Sequence, residues 1–170
     1  IPRPVNWPGL PIWVGGDTIQ GVERAARIGD AWLTSPRHSK HFIRQAAAVY
    51  KQQREELGLP ISPPIFFREM YVAHDRGEAE REIKDSFERL YNVYHQEGQP
   101  GERYDLRFQQ LKEERIIVGN PSDVRKESEQ YRDVFGAEYM FFRLYYLGMN
   151  LEKSLECIRI FGEEVIPHFR

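Results

Sequence analysis

This sequence has almost nothing with which to cross-link itself. Its one cysteine, Cys157, excludes an internal disulfide and a cysteine-built zinc site within the chain. No apolar run is long enough for a membrane span, so no membrane partner is expected. The 24 lysines and arginines nearly balance 26 aspartates and glutamates, and a formal charge of −2 gives no electrostatic footprint for nucleic acid. No short fixed repeat is visible, which argues against a solenoid. No secretory signal is apparent either, and the expected location is cytoplasmic.

What is there suits one domain, 1–170, with a real core: 170 residues, 41% hydrophobic and 13% aromatic. The opening Ile1-Pro2-Arg3-Pro4 reads as the middle of a longer chain or as a processed end. After a Pro-rich entry (Pro2, Pro4, Pro8, Pro11), a short strand is predicted over 12–14 and an amphipathic helix over 18–28, with Asp17 or Thr18 as cap and Gly29 as stop. A strand over 30–34, a helix over 39–57 ended by Gly58, a strand over 65–73 and a helix over 77–96 follow. Gly98-Gln99-Pro100-Gly101 breaks that helix, and about 98–115 reads as a charged, partly helical excursion. Ile116 to Gly119 is an apolar run leading into a helix that Asn120 caps, Pro121 starts and Gly136 closes. A strand over 138–146 and a helix over 150–165 complete the chain. Cys157, among Leu155, Ile158 and Ile160, reads as a buried, inert thiol.

The most telling stretch is Pro11-Ile12-Trp13-Val14-Gly15-Gly16-Asp17-Thr18. A strand runs through two glycines into a helix start, which lets backbone amides approach a ligand and presents unpaired N–H groups at the positive end of a dipole. Phosphate suits such a place, and a tight connection without a ligand is the bland alternative. His38 and His41, spaced i, i+3, could share a metal in principle; without a third ligand a solvated helix end explains them better, and no metal is expected.

Strand-helix alternation implies parallel strands with right-handed crossovers, in either a small open doubly wound sheet or half of an eight-stranded barrel. Arg68 and Glu69 fall inside the third strand and Arg143 inside the fourth. Charges there would be costly between two helix layers but are admissible facing a lumen, which favours the barrel. Alternation puts Phe66, Arg68, Met70 and Val72 on one face, and Tyr139, Phe141, Arg143 and Tyr145 on one face of the fourth strand. Arg143 is a candidate for contacting a bound anion or substrate; an ion pair with Glu69 is the structural alternative.

Three blocks carry a family resemblance: Pro11–Asp17 with Glu23–Trp32 behind it, Ile117–Val124, and Ile160–Phe169. In this order they resemble the luciferase-like flavin monooxygenases, specifically the C-terminal half of that family's (β/α)8 TIM barrel. The resemblance implies an α/β fold of parallel strand-helix units. It also implies a flavin cofactor: reduced FMN with oxygen acting on a small-molecule substrate, or a deazaflavin coenzyme in hydride transfer. Gly15, Gly16, Asp17 and Thr18 match the turn that helps hold the cofactor phosphate, with Thr34 a second candidate at the next strand end. Members of the family often carry Ser or Thr directly after the glycine pair. Here Asp17 intervenes, and a carboxylate beside a phosphate is repulsive, so Asp17 is expected to cap the helix or face away. Half a barrel leaves strand edges and a lumen face uncovered, so the expected partner is an N-terminal half-barrel or a second copy of the chain. Catalytic residues are expected largely in the other half. A non-catalytic, self-associating half-barrel is the alternative from another functional class.

Overall fold

The computed structural model describes residues 9–99 and 102–169, so Pro2, Pro4, Pro8, Pro100 and Gly101 lie outside the described residues. Strand β1 (Trp13–Gly15) leads into helix α1 (Ile19–Ile28), and β2 (Ala31–Leu33) into α2 (Lys40–Glu56). Strand β3 (Phe66–Val72) is followed by α3 (Arg76–Gln96) and α4 (Phe108–Glu114). Then come β4 (Ile116–Gly119), α5 (Pro121–Phe135), β5 (Met140–Arg143) and α6 (Leu151–Ile160). The last helix continues as a π-helical stretch, Phe161–Val165, and a 3-10 turn, Ile166–Phe169.

Every pairing is parallel. β1 pairs with β2 (Trp13 opposite Ala31), and a bridge from Leu33 to Ile65 joins β2 to β3. The first half of β3 pairs with β5, Phe66 opposite Met140 through Glu69 opposite Arg143. Its second half pairs with β4 on the other side, Glu69 opposite Ile116 through Val72 opposite Gly119. The frame β1-β2-β3-β5 therefore follows chain order without the reversal that defines a doubly wound sheet. It curves as well: the rings of Trp13 in the first strand and Tyr139 at the start of the last stand 6.3 Å apart. Side chains standing perpendicular to four flat strands would be about 14 Å apart. This is the concave wall of half a barrel.

Side-chain alternation assigns the two faces of β3. Phe66 packs on Tyr131 (5.4 Å) and Phe135 (6.0 Å) of α5, so the even-numbered residues face the helices. Phe67 stacks on Phe141 at 4.6 Å on the opposite, concave face. There the Tyr71 hydroxyl donates to Glu82 of α3 (2.7 Å), so α3 covers part of this face. Arg68 thus points away from the lumen, contrary to the use made of it above. It is buried, donating to the carbonyls of Pro36 (3.3 Å) and His38 (2.7 Å), with its guanidinium 4.9 Å from the Tyr131 ring. Carbonyl dipoles and an aromatic face replace water around the cation.

Local chemistry explains the helix ends. Thr18, Ser39, Asp75, Asn120 and Asn150 each accept a first-turn N–H. Gly58 and Gly136 close α2 and α5 with positive φ. Gly29 ends α1 differently, with extended backbone, and a Cβ there would lie 2.8 Å from Val14. The carbonyls at that end are met instead by buried Arg54, which reaches Ala26 (3.1 Å) and Gly29 (2.8 Å). Cys157 is buried, accepts from the Val72 N–H at 3.4 Å, and burial pushes its thiol up to about 11.

Candidate functional site at the first strand-to-helix turn

At the end of β1 the two glycines do different work. Gly16 is buried beneath α1, where an added Cβ would meet Gly21 C at 2.5 Å and Val22 N at 2.8 Å. Its carbonyl accepts from Trp32 Nε1 at 3.3 Å. Gly15 is exposed, and a Cβ there would meet nothing within 4 Å. Thr18 is the N-cap: its Oγ1 accepts from the Gly21 N–H at 3.2 Å. The amides of Ile19 and Gln20 have no helical acceptor, and the first turn contains no acidic residue.

These groups open onto a cleft of about 670 Å³ whose walls include Gly15, Thr18, Leu33, Thr34 and Phe67. Arg24 and Arg27 of α1 stand at its rim, both exposed and without an ion pair among the described residues. Thr34 is buried and already occupied, its N–H donating to Ile65 (2.9 Å) and its Oγ1 accepting from Phe67 N–H (3.2 Å). Its hydroxyl hydrogen is the part left for a ligand.

Asp17 faces away from the open amides. Its carboxylate forms an ion pair with Arg37, and Oδ1 lies 3.2 Å from His38 Nε2. The Ser35 N–H donates to His38 Nδ1 (3.3 Å), which makes that nitrogen the acceptor and assigns the ring proton to Nε2, aimed at Asp17. The hydrogen bond from His38, reinforced by the charge of Arg37, holds the Asp17 carboxyl below the usual carboxylate range. His38 is 2% exposed, wedged between Trp32 and Phe42 (ring separations 6.0 and 4.5 Å), and burial lowers its pKa. The solvated helix end expected for His38 is therefore wrong. His41, by contrast, is exposed and contacts Gln45.

Arg143 lies on the concave face, but most of its fork is committed. Nε donates to Glu69 Oε2 (2.9 Å), Nη2 bonds Glu69 Oε1, and Nη2 also donates to Tyr94 Oη (2.8 Å). Glu69 is fully buried, so this is a charge pair with one end in the wall, and the carboxylate raises the Arg143 pKa. Among the described residues, Nη1 has no hydrogen-bond partner.

Sequence reasoning missed Arg37 and weighed His38 only as a metal ligand or a solvated helix end. The signal that could have found them is Asp17 itself, because a carboxylate next to an anion-accepting turn needs compensating partners. In parallel strands those come from the loop after the neighbouring strand, here 34–39 after β2.

The sequence profile of the family described as luciferase-like monooxygenase matches residues 1–138. No curated protein is similar enough in sequence to match the chain. Among solved structures, monooxygenase RslO1 from Streptomyces bottropensis superposes with a TM-score of 0.77 at 22% identity, over 100% of this chain and 51% of that one. The oxygenating constituent of 3,6-diketocamphane monooxygenase from Pseudomonas putida, solved with FMN, gives 0.70 at 15% identity over 92% and 48%. The coenzyme F420 dependent tetrahydromethanopterin reductase from Methanopyrus kandleri gives 0.66 at 18% identity over 95% and 51%. This chain spans about half the length of each.

Proposed function

Because the chain belongs to the luciferase-like monooxygenase family, we propose that it is the C-terminal part of a flavin-dependent oxidoreductase using reduced FMN and oxygen on a small organic substrate. The observation that carries this reading is the open turn: first-turn amides without a helical acceptor, no first-turn acid, a Cβ-free opening at Gly15 and, beside it, two arginines with no ion pair among the described residues. Such a donor set fits a phosphate. Gly15, Gly16 and Thr18 would form the cradle, Arg24 and Arg27 its charged rim, and Thr34 a hydroxyl donor at the neighbouring strand end. Asp17 would serve by staying turned toward Arg37 and His38.

Bound FMN would supply the electrons that activate oxygen; a deazaflavin coenzyme, the alternative, would supply hydride. The family's description as monooxygenases favours FMN. The protein would add a dry, apolar wall in Leu33, Phe67 and Phe141. Arg143, oriented by Glu69 and Tyr94, would offer its remaining Nη1 edge to an electronegative group of the substrate. No described residue is assigned to the chemical step.

The concave face supports closure by more polypeptide. Trp13, Tyr139 and Phe141 are 44%, 61% and 39% exposed there, and covering such a side chain is worth roughly 1.5–3 kcal/mol. An N-terminal half-barrel is the reading that also places a flavin pocket. Self-association of a non-catalytic half-barrel is the second reading, supported by the same exposed rings. Titrating the full-length protein with FMN and with coenzyme F420, following flavin fluorescence, tests the proposal. Saturable binding of FMN is expected. Binding of F420 alone would move the protein to hydride transfer, and binding of neither would overturn the flavoenzyme reading.

A further inference from the structure

Arg37 meets the candidate site at two residues, Asp17 and Ser35, and ties them to the elements behind. Its guanidinium pairs with Asp17, its Nε donates to Ser35 Oγ at 3.1 Å, and its Nη1 donates to Gln99 Oε1 at 2.6 Å. The group lies 5.3 Å from the Tyr94 ring and 5.8 Å from the Tyr104 ring, and its side chain is 13% exposed. Its carbonyl accepts from Arg115 Nη1 at 2.6 Å. A cation this enclosed, with a carboxylate on one side and aromatic faces on another, has one stable orientation.

The consequence concerns Asp17. Among the described residues it is the only acidic one lining the cleft, and its negative charge sits one residue before the N-cap of α1. Left uncompensated, that charge would oppose an anion at the same helix start. His38 is buried, its Nδ1 accepts from the Ser35 N–H, and the neutral ring faces Asp17 at 3.2 Å, so the compensating positive charge comes from Arg37. We propose that Arg37 is a positioning residue for anion binding: it neutralises Asp17 and holds its carboxylate off the first-turn amides, so that the Gly15–Thr18 turn accepts a phosphate. This rests on the cofactor reading above. Arg37 contacts no ligand itself and acts through Asp17.

A purely structural Arg37, tying the excursion down through Gln99 and the two tyrosines, would behave differently. The measurement that separates the two compares FMN with riboflavin, which has the same ring and no phosphate, on the full-length protein. Arg37→Gln is expected to weaken FMN about tenfold while riboflavin binding stays within about twofold. Adding Asp17→Asn to that variant is expected to restore FMN affinity, because the charge needing compensation is gone. Should Arg37→Gln fold poorly, Arg37→Lys keeps the charge without the fork, and near-native FMN affinity is expected. Equal loss of both ligands, or no rescue by Asp17→Asn, overturns the inference and leaves the flavin reading standing. Wild-type protein that binds neither ligand overturns both.

Discussion

The chain contains two strand-to-helix turns built to nearly the same plan, and they differ in whether a carboxylate of the turn fills the first-turn amides. At the first, β1 runs through Gly15 and Gly16 to the Thr18 cap, and the third helical position is Gly21, whose absent side chain lets Gly16 pack against it. At the second, β4 runs through Gly119 to the Asn120 cap, and the third helical position is Asp123. That carboxylate accepts the Asn120 N–H at 3.1 Å, while Asn120 Oδ1 accepts the Asp123 N–H at 3.0 Å, and Arg76 Nε donates to Asp123 Oδ2 at 2.8 Å. The second turn therefore carries its own anion and is closed to another. The first has an acid too, Asp17, but swings it onto Arg37 and His38. A glycine at a helix start is thus not enough to make an anion site; what matters is whether the turn's own carboxylate occupies the amides.

The largest expected effect separates the paired glycines. Gly16→Ala should destabilise the fold by about 2–3 kcal/mol in urea unfolding, since its new methyl would be driven into the Gly21 and Val22 backbone. Gly15→Ala should leave stability within about 0.5 kcal/mol and weaken FMN instead. Next, Gln20→Glu places an acid in the first turn of α1, making it resemble the second turn. FMN affinity should fall about tenfold while stability rises by about 0.3–1 kcal/mol, opposite signs that no simple structural damage produces. Asp123→Ala should cost about 1 kcal/mol of stability through the lost cap and leave FMN binding unchanged, as expected of a turn that holds no ligand.

The smallest effect is in the pH dependence. Burial lowers the folded-state pKa of His38 below its ordinary 6.5, so on acidification the unfolded chain takes up that proton first. Its stabilising contribution is complete above 6.5 and is lost as pH falls through the lowered folded value. Asp123, held down chiefly by its hydrogen bond to Arg76, contributes above its ordinary 3.8 and loses that contribution only in more acid solution. Unfolding measured across pH 7 to 5 should show a slope that His38→Gln flattens and Asp123→Ala does not.

Much of the frame was legible because period and punctuation agreed. The helices expected at 18–28, 39–57 and 77–96 are Ile19–Ile28, Lys40–Glu56 and Arg76–Gln96. The strand expected at 65–73 is Phe66–Val72, and the parallel half-barrel is present. The four residues Ile116–Gly119 were too short to show a period, so their pairing with β3 was invisible. The last strand stops at Arg143 rather than 146, because Tyr146 turns back and its hydroxyl accepts from the Met70 N–H at 2.9 Å. The final helix keeps α geometry only to Ile160. Alternation named the two faces of β3 but not which looked inward; only the packing of Phe66 on α5 decides that. Of the site, the glycines and the Thr18 cap were readable from local chemistry. The Asp17–Arg37 and Arg143–Glu69 pairs link residues 20 and 74 positions apart, and only the strand order brings them together.

Strand β3 serves two masters, with Glu69 facing Arg143 on one flank and Ile116 on the other. The excursion is consequently not a removable cassette. A graft that brings in 98–119 from a relative would dock a foreign strand on β3, whose spacing it did not choose. Chimaeras that keep the barrel in register should take Phe66–Val72 and Ile116–Gly119 from the same parent, so that the paired strands travel together.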